Sequence, residues 1–167
     1  MTAPESKPFT LRPAELRDVA PIVQLIRELA AFERLEHLLQ VTPERLRPHL
    51  FGERPVVEAM VAEVDAEVVA FALYFTNFST FLAQPGLYLE DLYVRPNARG
   101  QGIGKSLLIE LASIARSRGC RRMEWAVLDW NTSAQEFYKN LGAHEMSGWH
   151  VWRMDEHALQ RLADTTR

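Results

Sequence analysis

The 167-residue sequence has one cysteine, Cys120, so no disulfide can close within the chain. A lone thiol suits a reducing compartment, and a cytoplasmic location is the expectation. No apolar stretch approaches the ~20 residues of a membrane span, so no membrane association is expected. The polar run from Met1 to Leu11 contains Pro4 and Pro8 and has no apolar signal-peptide region. The five histidines lack metal-site spacing. His144-Glu145 and His150 fail the H-E-x-x-H register and fall in a strand-like segment, so no metal is expected. Basic residues are not in excess, and the formal charge is −3. That balance argues against nucleic acid as a partner and tolerates a cationic one.

There is also no linker, repeat or low-complexity tract. Residues 1–8 read as a flexible tail, 164–167 as a frayed end, and 9–163 as a single domain with a core of its own. Phe9-Thr10-Leu11-Arg12 reads as a short strand ended by Pro13. A helix follows with Asp18 as N-cap, and Ile22, Leu25, Ile26, Leu29 and Ala30 recur at helical spacing. Thr42-Pro43 opens a second helix that Gly52 closes. Residues 56–64 and 67–75 form an antiparallel hairpin about Asp65-Ala66, and a looser stretch is expected from Thr76 to Gly86.

Residues 87–94 read as a strand whose apolar parity changes at Glu90-Asp91. Leu87 and Leu89 share one phase, Leu92 and Val94 the other. A β-bulge produces that slip, and so does a strand buried on both faces. Residues 102–118 form the clearest helix, with Ile103, Leu107, Leu108, Leu111, Ala112 and Ala115 on its stripe and Gly119 beyond its end. A strand over 122–127 follows a helical crossover and should lie parallel to the previous one. Asn131 caps a helix bearing Ala134, Phe137, Tyr138 and Leu141. Short strands over 143–146 and 149–154 and a helix over 155–162 complete a mixed α/β order.

The chemistry concentrates at Arg99-Gly100-Gln101-Gly102-Ile103-Gly104, between a strand and a helix. Glycines let the backbone approach a ligand, and a helix start offers free N–H groups to a diphosphate. Gly104-Lys105-Ser106 suggests a nucleotide-binding P-loop, but the glycine required five residues earlier is Arg99. The dinucleotide pattern G-x-G-x-x-G fails as well, because the third glycine is Gly104 rather than residue 105.

Arg99-x-x-Gly102-x-Gly104 instead resembles the Q/R-x-x-G-x-G/A signature of the GCN5-related N-acetyltransferases, the GNAT family. Tyr88-Leu89-Glu90-Asp91, Trp130-Asn131, Phe137-Tyr138-Lys139, Phe32-Glu33 and Gly148-Trp149 resemble its diamine (spermidine/spermine) acetyltransferase branch. The likeness runs from Phe9 to about Leu162. It implies a GNAT-like mixed sheet with a bulged central strand and helices on both faces, a homodimer, and acetyl-CoA as co-substrate. In the dimer, Trp149 and Trp152 would lie on an exposed edge.

Position by position, the resemblance assigns Leu92, Tyr93 and Val94 to the pantetheine arm. It assigns Arg99, Gly100, Gln101, Gly102, Ile103, Gly104 and Lys105 to the diphosphate, and Asn131, Thr132, Ser133 and Ala134 to the coenzyme arm. Tyr138 matches the family's catalytic tyrosine and would meet the departing thiolate. Phe32, Glu33, Glu90 and Asp91, with Glu124, Trp125, Ala126 and Ser147, would face the acceptor. An alkylamine near pKa ~10 is protonated at neutral pH, so direct transfer needs a base, and Glu90 acting through a water is the candidate. Ser147 stands where diamine acetyltransferases usually carry an acid, which weakens the case for spermidine or spermine and leaves thialysine-like amines open. From other classes, an acyl-CoA-binding sensor without activity and a P-loop-like nucleotide enzyme remain alternatives.

Overall fold

The computed structural model describes residues 8–165, so the expected tail over 1–8 and the last two residues of the frayed end lie almost wholly outside it. The chain forms two compact units, one ending at Ala126 and the other beginning at Val127.

The first unit is a five-stranded sheet in the order β1-β2-β3-β4-β5. Strands β1 (Thr10–Pro13), β2 (Glu58–Val64), β3 (Glu67–Ser79) and β4 (Gln84–Val94) form an antiparallel meander. Strand β5 (Met123–Glu124) runs parallel to β4, as the helical crossover demands. Asp65 and Ala66 join β2 to β3 with φ of 51° and 64°, the left-handed pair that a two-residue hairpin turn needs.

Helices α1 (Val19–Glu33) and α2 (Pro43–Phe51) cover one face. Ile22, Val23, Leu25, Leu46 and Leu50 pack there against Ala59, Val61, Phe71, Leu73 and Tyr93. Helix α3 (Ile103–Ser117) contacts β2, β3 and β4. Met60, Ala62, Ala70 and Ala72 alternate with the α1-facing residues, are equally buried, and so face α3. Thr42 caps α2 by accepting from the Arg45 N–H at 3.3 Å, and Gly52 follows its last turn. Gly119, at φ 72°, follows α3.

The β4 bulge explains the sequence's parity slip. Leu73 pairs with Asp91 and Tyr74 with Leu89, leaving Glu90 as the extra residue. Leu92 then pairs with Ala72 and Leu89 with Tyr74, so the leucines on either side of the bulge share the α3 face. Asp91 and Tyr93 take the α1 face.

Several local expectations are corrected. Residues 76–79 and 84–86 are laddered rather than loose, because β3 and β4 continue pairing out to Ser79 and Gln84. Strand β5 is two residues long, not six, since only Met123 and Glu124 find partners on β4. Asp18 does not cap α1 with its side chain: its backbone is already helical, and its carboxylate receives Arg12 at 2.6 and 2.9 Å and the Glu15 N–H at 2.6 Å. Ala112 is exposed, one step off the buried stripe of α3.

The second unit holds α4 (Thr132–Lys139) and α5 (Glu156–Ala163), capped by Asn131 and Asp155 side chains that accept from Ala134 and Ala158 N–H groups. The strands expected over 143–146 and 149–154 are absent. That stretch is irregular, turns at Gly148 (φ 87°), and has no strand partner among the described residues. Trp149 and Trp152 are 72% and 90% exposed.

Candidate active site

The site is built around β4. Its ladder with β5 involves only Leu87 and Tyr88, while the strand continues to Val94. Residues 89–94 therefore pair with β3 on one edge and outrun β5 on the other. An open strand edge offers alternating N–H and C=O groups to an extended ligand. Leu92, Tyr93 and Val94, the residues expected to meet the pantetheine arm, lie on that stretch.

From Val94 the chain enters a short 3₁₀ turn, Pro96–Ala98, and then the glycine turn. Gly100 and Gly102 take φ of 76° and 82°, which L-residues rarely adopt. A Cβ built on either would meet nothing within 4 Å, so backbone conformation, not crowding, calls for glycine there. Ser106 N–H already bonds Gly102 C=O at 2.9 Å, and the N–H groups of Ile103, Gly104 and Lys105 lie in the unpaired first turn of α3. Lys105 is exposed, and the first turn of α3 carries no acid. Gln101 buries an Oε1 without a hydrogen-bond partner. Free N–H groups, a positive helix end and an exposed lysine beside open space fit a diphosphate.

Arg99 opens this turn and is fixed from three sides. Its Nε donates to Val94 C=O at 2.9 Å. Its guanidinium carbon lies 5.3 Å from the Phe32 ring centroid and 5.6 Å from that of Tyr93. Phe32 belongs to the last turn of α1, where Arg34 ends the helix in a left-handed conformation. Nothing in the motif signals this stack; it depends on the packing of α1 against β4.

Glu33, Glu90 and Asp91 gather on the same side of the unit. Burial pushes the Asp91 carboxyl up to about 7, helped by the negative charges of Glu90 and Glu33. Burial also raises Glu33. Among the described residues none of the three forms an ion pair. Glu90, at the bulge, is exposed. Burial, then the charges of Glu90 and Glu124, raise the Tyr88 phenol, whose ring lies 5.1 Å from Phe75.

Glu124 is held differently. Arg122 approaches its carboxylate at 2.9 Å, and Asn77 Nδ2 donates to it at 3.2 Å. The i, i+2 spacing of Arg122 and Glu124 was the available sequence signal, since alternate strand residues share a face. Trp125 is half-buried and Ala126 exposed.

In the second unit, Gln135 Nε2 ties the start of α4 to Leu128 and Asp129 carbonyls at 3.3 and 3.0 Å. Thr132 and Ser133 are exposed, and Ala134 is half-buried. Tyr138 is half-buried with its ring 5.2 Å from that of Phe137, and Ser147 is exposed. Elsewhere, a cavity of about 430 Å³ beside Arg17, Gln24, Glu63 and Arg95 contains none of these site residues.

A profile of the acetyltransferase (GNAT) family matches residues 23–143. The thialysine N-epsilon-acetyltransferase of Bos taurus is 39% identical over 164 residues, covering 92% of this chain and 96% of that protein. The L-ornithine N5-acetyltransferase of Arabidopsis thaliana is 31% identical over 212 residues, covering 96% of this chain and 93% of that protein. Among solved structures, an integron cassette protein from the mobile metagenome of V. cholerae superposes with a TM-score of 0.79 at 27% identity, over 94% of this chain and 98% of that one. The chain belongs to the acetyltransferase (GNAT) family and is an N-acetyltransferase. Within the family it stands in the diamine acetyltransferase-like branch that its motifs resemble.

Proposed function

We propose that this chain transfers the acetyl group of acetyl-CoA to a primary amine on a small molecule that carries further positive charge: a lysine-like amino acid, a diamine or a polyamine. The observation that carries this reading is the bulge in β4, which joins unpaired carboxylates to an open strand edge leading into the glycine turn. The named relatives support the acceptor class. Thialysine and ornithine each present a side-chain amine on an amino acid. That agrees with Ser147 replacing the acid usual in polyamine-acetylating members, so lysine-like amines stand first.

The backbone of Leu92, Tyr93 and Val94 holds the pantetheine arm, and Arg99 to Lys105 hold the diphosphate. Asn131 to Ala134 meet the rest of the coenzyme arm. Bound there, acetyl-CoA supplies the thioester acyl group for direct transfer. Glu33 and Asp91 attract the cationic acceptor, with Phe32, Trp125, Ala126 and Ser147 about it. Glu124, already engaged by Arg122, contributes less. Glu90 accepts the ammonium proton through a water, leaving a neutral amine to attack. Asp91, with its carboxyl pushed up to about 7, is the second group suited to hold that proton. Tyr138 hydrogen-bonds or protonates the departing thiolate, a role that rests on the family resemblance.

Residues 9–163 act as one catalytic domain in this reading; the family match spans the junction at Ala126. We further propose a cytoplasmic homodimer. The free Cys120 thiol suits a reducing compartment, and exposed Trp149, Val151 and Trp152 suit a subunit contact. A light-scattering mass near 19.1 kDa at micromolar protein refutes the dimer.

The test is thiol release from acetyl-CoA with thialysine, ornithine, lysine, spermidine, putrescine, glutamate and an arylamine. A cationic primary amine should be fastest. The acceptor assignment falls if glutamate or the arylamine outruns every cationic amine.

A further inference from the structure

Arg99 stands at the junction of two regions that the proposed activity uses for different ligands. Its Nε bond to Val94 C=O fixes it to the end of β4, and the glycine turn for the diphosphate begins at the next residue. Its guanidinium stacks over Phe32, whose neighbour Glu33 supplies charge to the acceptor side. Tyr93 gives the guanidinium a second aromatic face from β4. An arginine can do this where a lysine cannot. Its flat, delocalised cation stacks on rings and still donates from its edge, whereas an ammonium is a strongly hydrated point charge.

We propose that Arg99 is a positioning residue coupling the donor and acceptor sites: coenzyme A in the glycine turn restrains Arg99, and through the Phe32 stack this orders the last turn of α1 that carries Glu33 to the acceptor. This inference rests on the acetyl-CoA reading of the turn given above. The left-handed Arg34 ends α1 immediately after Glu33, with the Leu35 N–H bonded to Ala30 C=O at 2.9 Å to close the turn, and the Phe32 stack is the contact that ties this capped end to Arg99. Coupling of this kind is reciprocal. Coenzyme A raises affinity for the amine, and the amine raises affinity for coenzyme A by the same factor.

Calorimetric titration of thialysine into the full chain, with and without saturating coenzyme A, reads the coupling without turnover. Coenzyme A should tighten thialysine binding by about five-fold, the scale of a partly exposed cation–π contact. Phe32→Leu and Arg99→Lys should each abolish this gain, and Phe32→Tyr should preserve it. In Phe32→Leu, coenzyme A measured alone should still bind, because the glycine turn and the Arg99 Nε bond to Val94 C=O are left in place. A melting scan confirms that the variants are folded. If coenzyme A binds and leaves thialysine affinity unchanged, or if the gain survives in Phe32→Leu, the coupling is refuted while the donor-site reading stands. If coenzyme A does not bind the wild-type chain at all, the donor-site reading falls and this inference with it.

Discussion

Two aspartates of the first unit are withdrawn from water, and their surroundings push them in opposite directions. Asp18 is 2% exposed and takes both Arg12 nitrogens and the Glu15 N–H, which hold its carboxyl below the usual range. Arg12 reaches on to Glu63 at 2.6 Å, so this network staples β1, β2 and the entry to α1. Asp91 sits beside Glu90 and Glu33 with no ion-pair partner among the described residues, and its carboxyl is pushed up to about 7. A fully paired carboxylate serves the fold. An unpaired one spends stability to keep charge ready for a ligand.

Removing the paired carboxylate should have the largest effect. Asp18→Ala leaves Arg12 short of its main partner and should lower unfolding free energy by about 3 kcal/mol in urea titrations at pH 7. Asp91→Asn should do the reverse, raising stability at pH 8 by on the order of 1 kcal/mol while impairing acetyl transfer.

The two residues should also respond oppositely to pH. Asp91 binds its proton more tightly folded than unfolded. Its stabilising contribution is complete below the ordinary carboxylate value of 3.8 and is lost as pH rises toward about 7, a slope that Asp91→Asn removes. Asp18 stabilises above the ordinary value, and that contribution is lost as pH falls through its lowered folded value. Urea midpoints from pH 3 to 8 for wild type and both variants test the contrast.

Smaller effects should separate Glu33 from Glu124. Glu33→Gln should raise KM for a cationic acceptor several-fold, more than it lowers kcat, and should weaken the dependence of rate on salt. Glu124→Gln should change KM less, because Arg122 already neutralises that carboxylate. An equal rise in both variants would erase the distinction between paired and unpaired acids.

The sequence signalled local features well. A parity change at Glu90-Asp91 marked the bulge, helical spacing marked the buried stripes of α1 and α3, and Thr42 and Asn131 marked helix starts. Long-range pairing was harder to see. Asp18 resembles an N-cap until Arg12 and Glu63 are brought to it by β1 and β2. Thr76 to Ser79 look like loop until β4 supplies a ladder, and residues 149–154 look like strand although they find no partner among the described residues. The glycine turn was legible because its spacing is local. The stack of Arg99 on Phe32 was not, since it links residues far apart in the chain.

The pH profile of kcat/KM for wild type, Glu90→Gln and Asp91→Asn, with acetyl-CoA and thialysine, tests the central claim most directly. With Glu90 as the base, Glu90→Gln should lose about 10²-fold or more across the profile. Asp91→Asn should retain more activity and shift the profile, because a charge beside Glu90 has gone. A Glu90→Gln enzyme as fast as wild type from pH 6 to 9 would contradict the account.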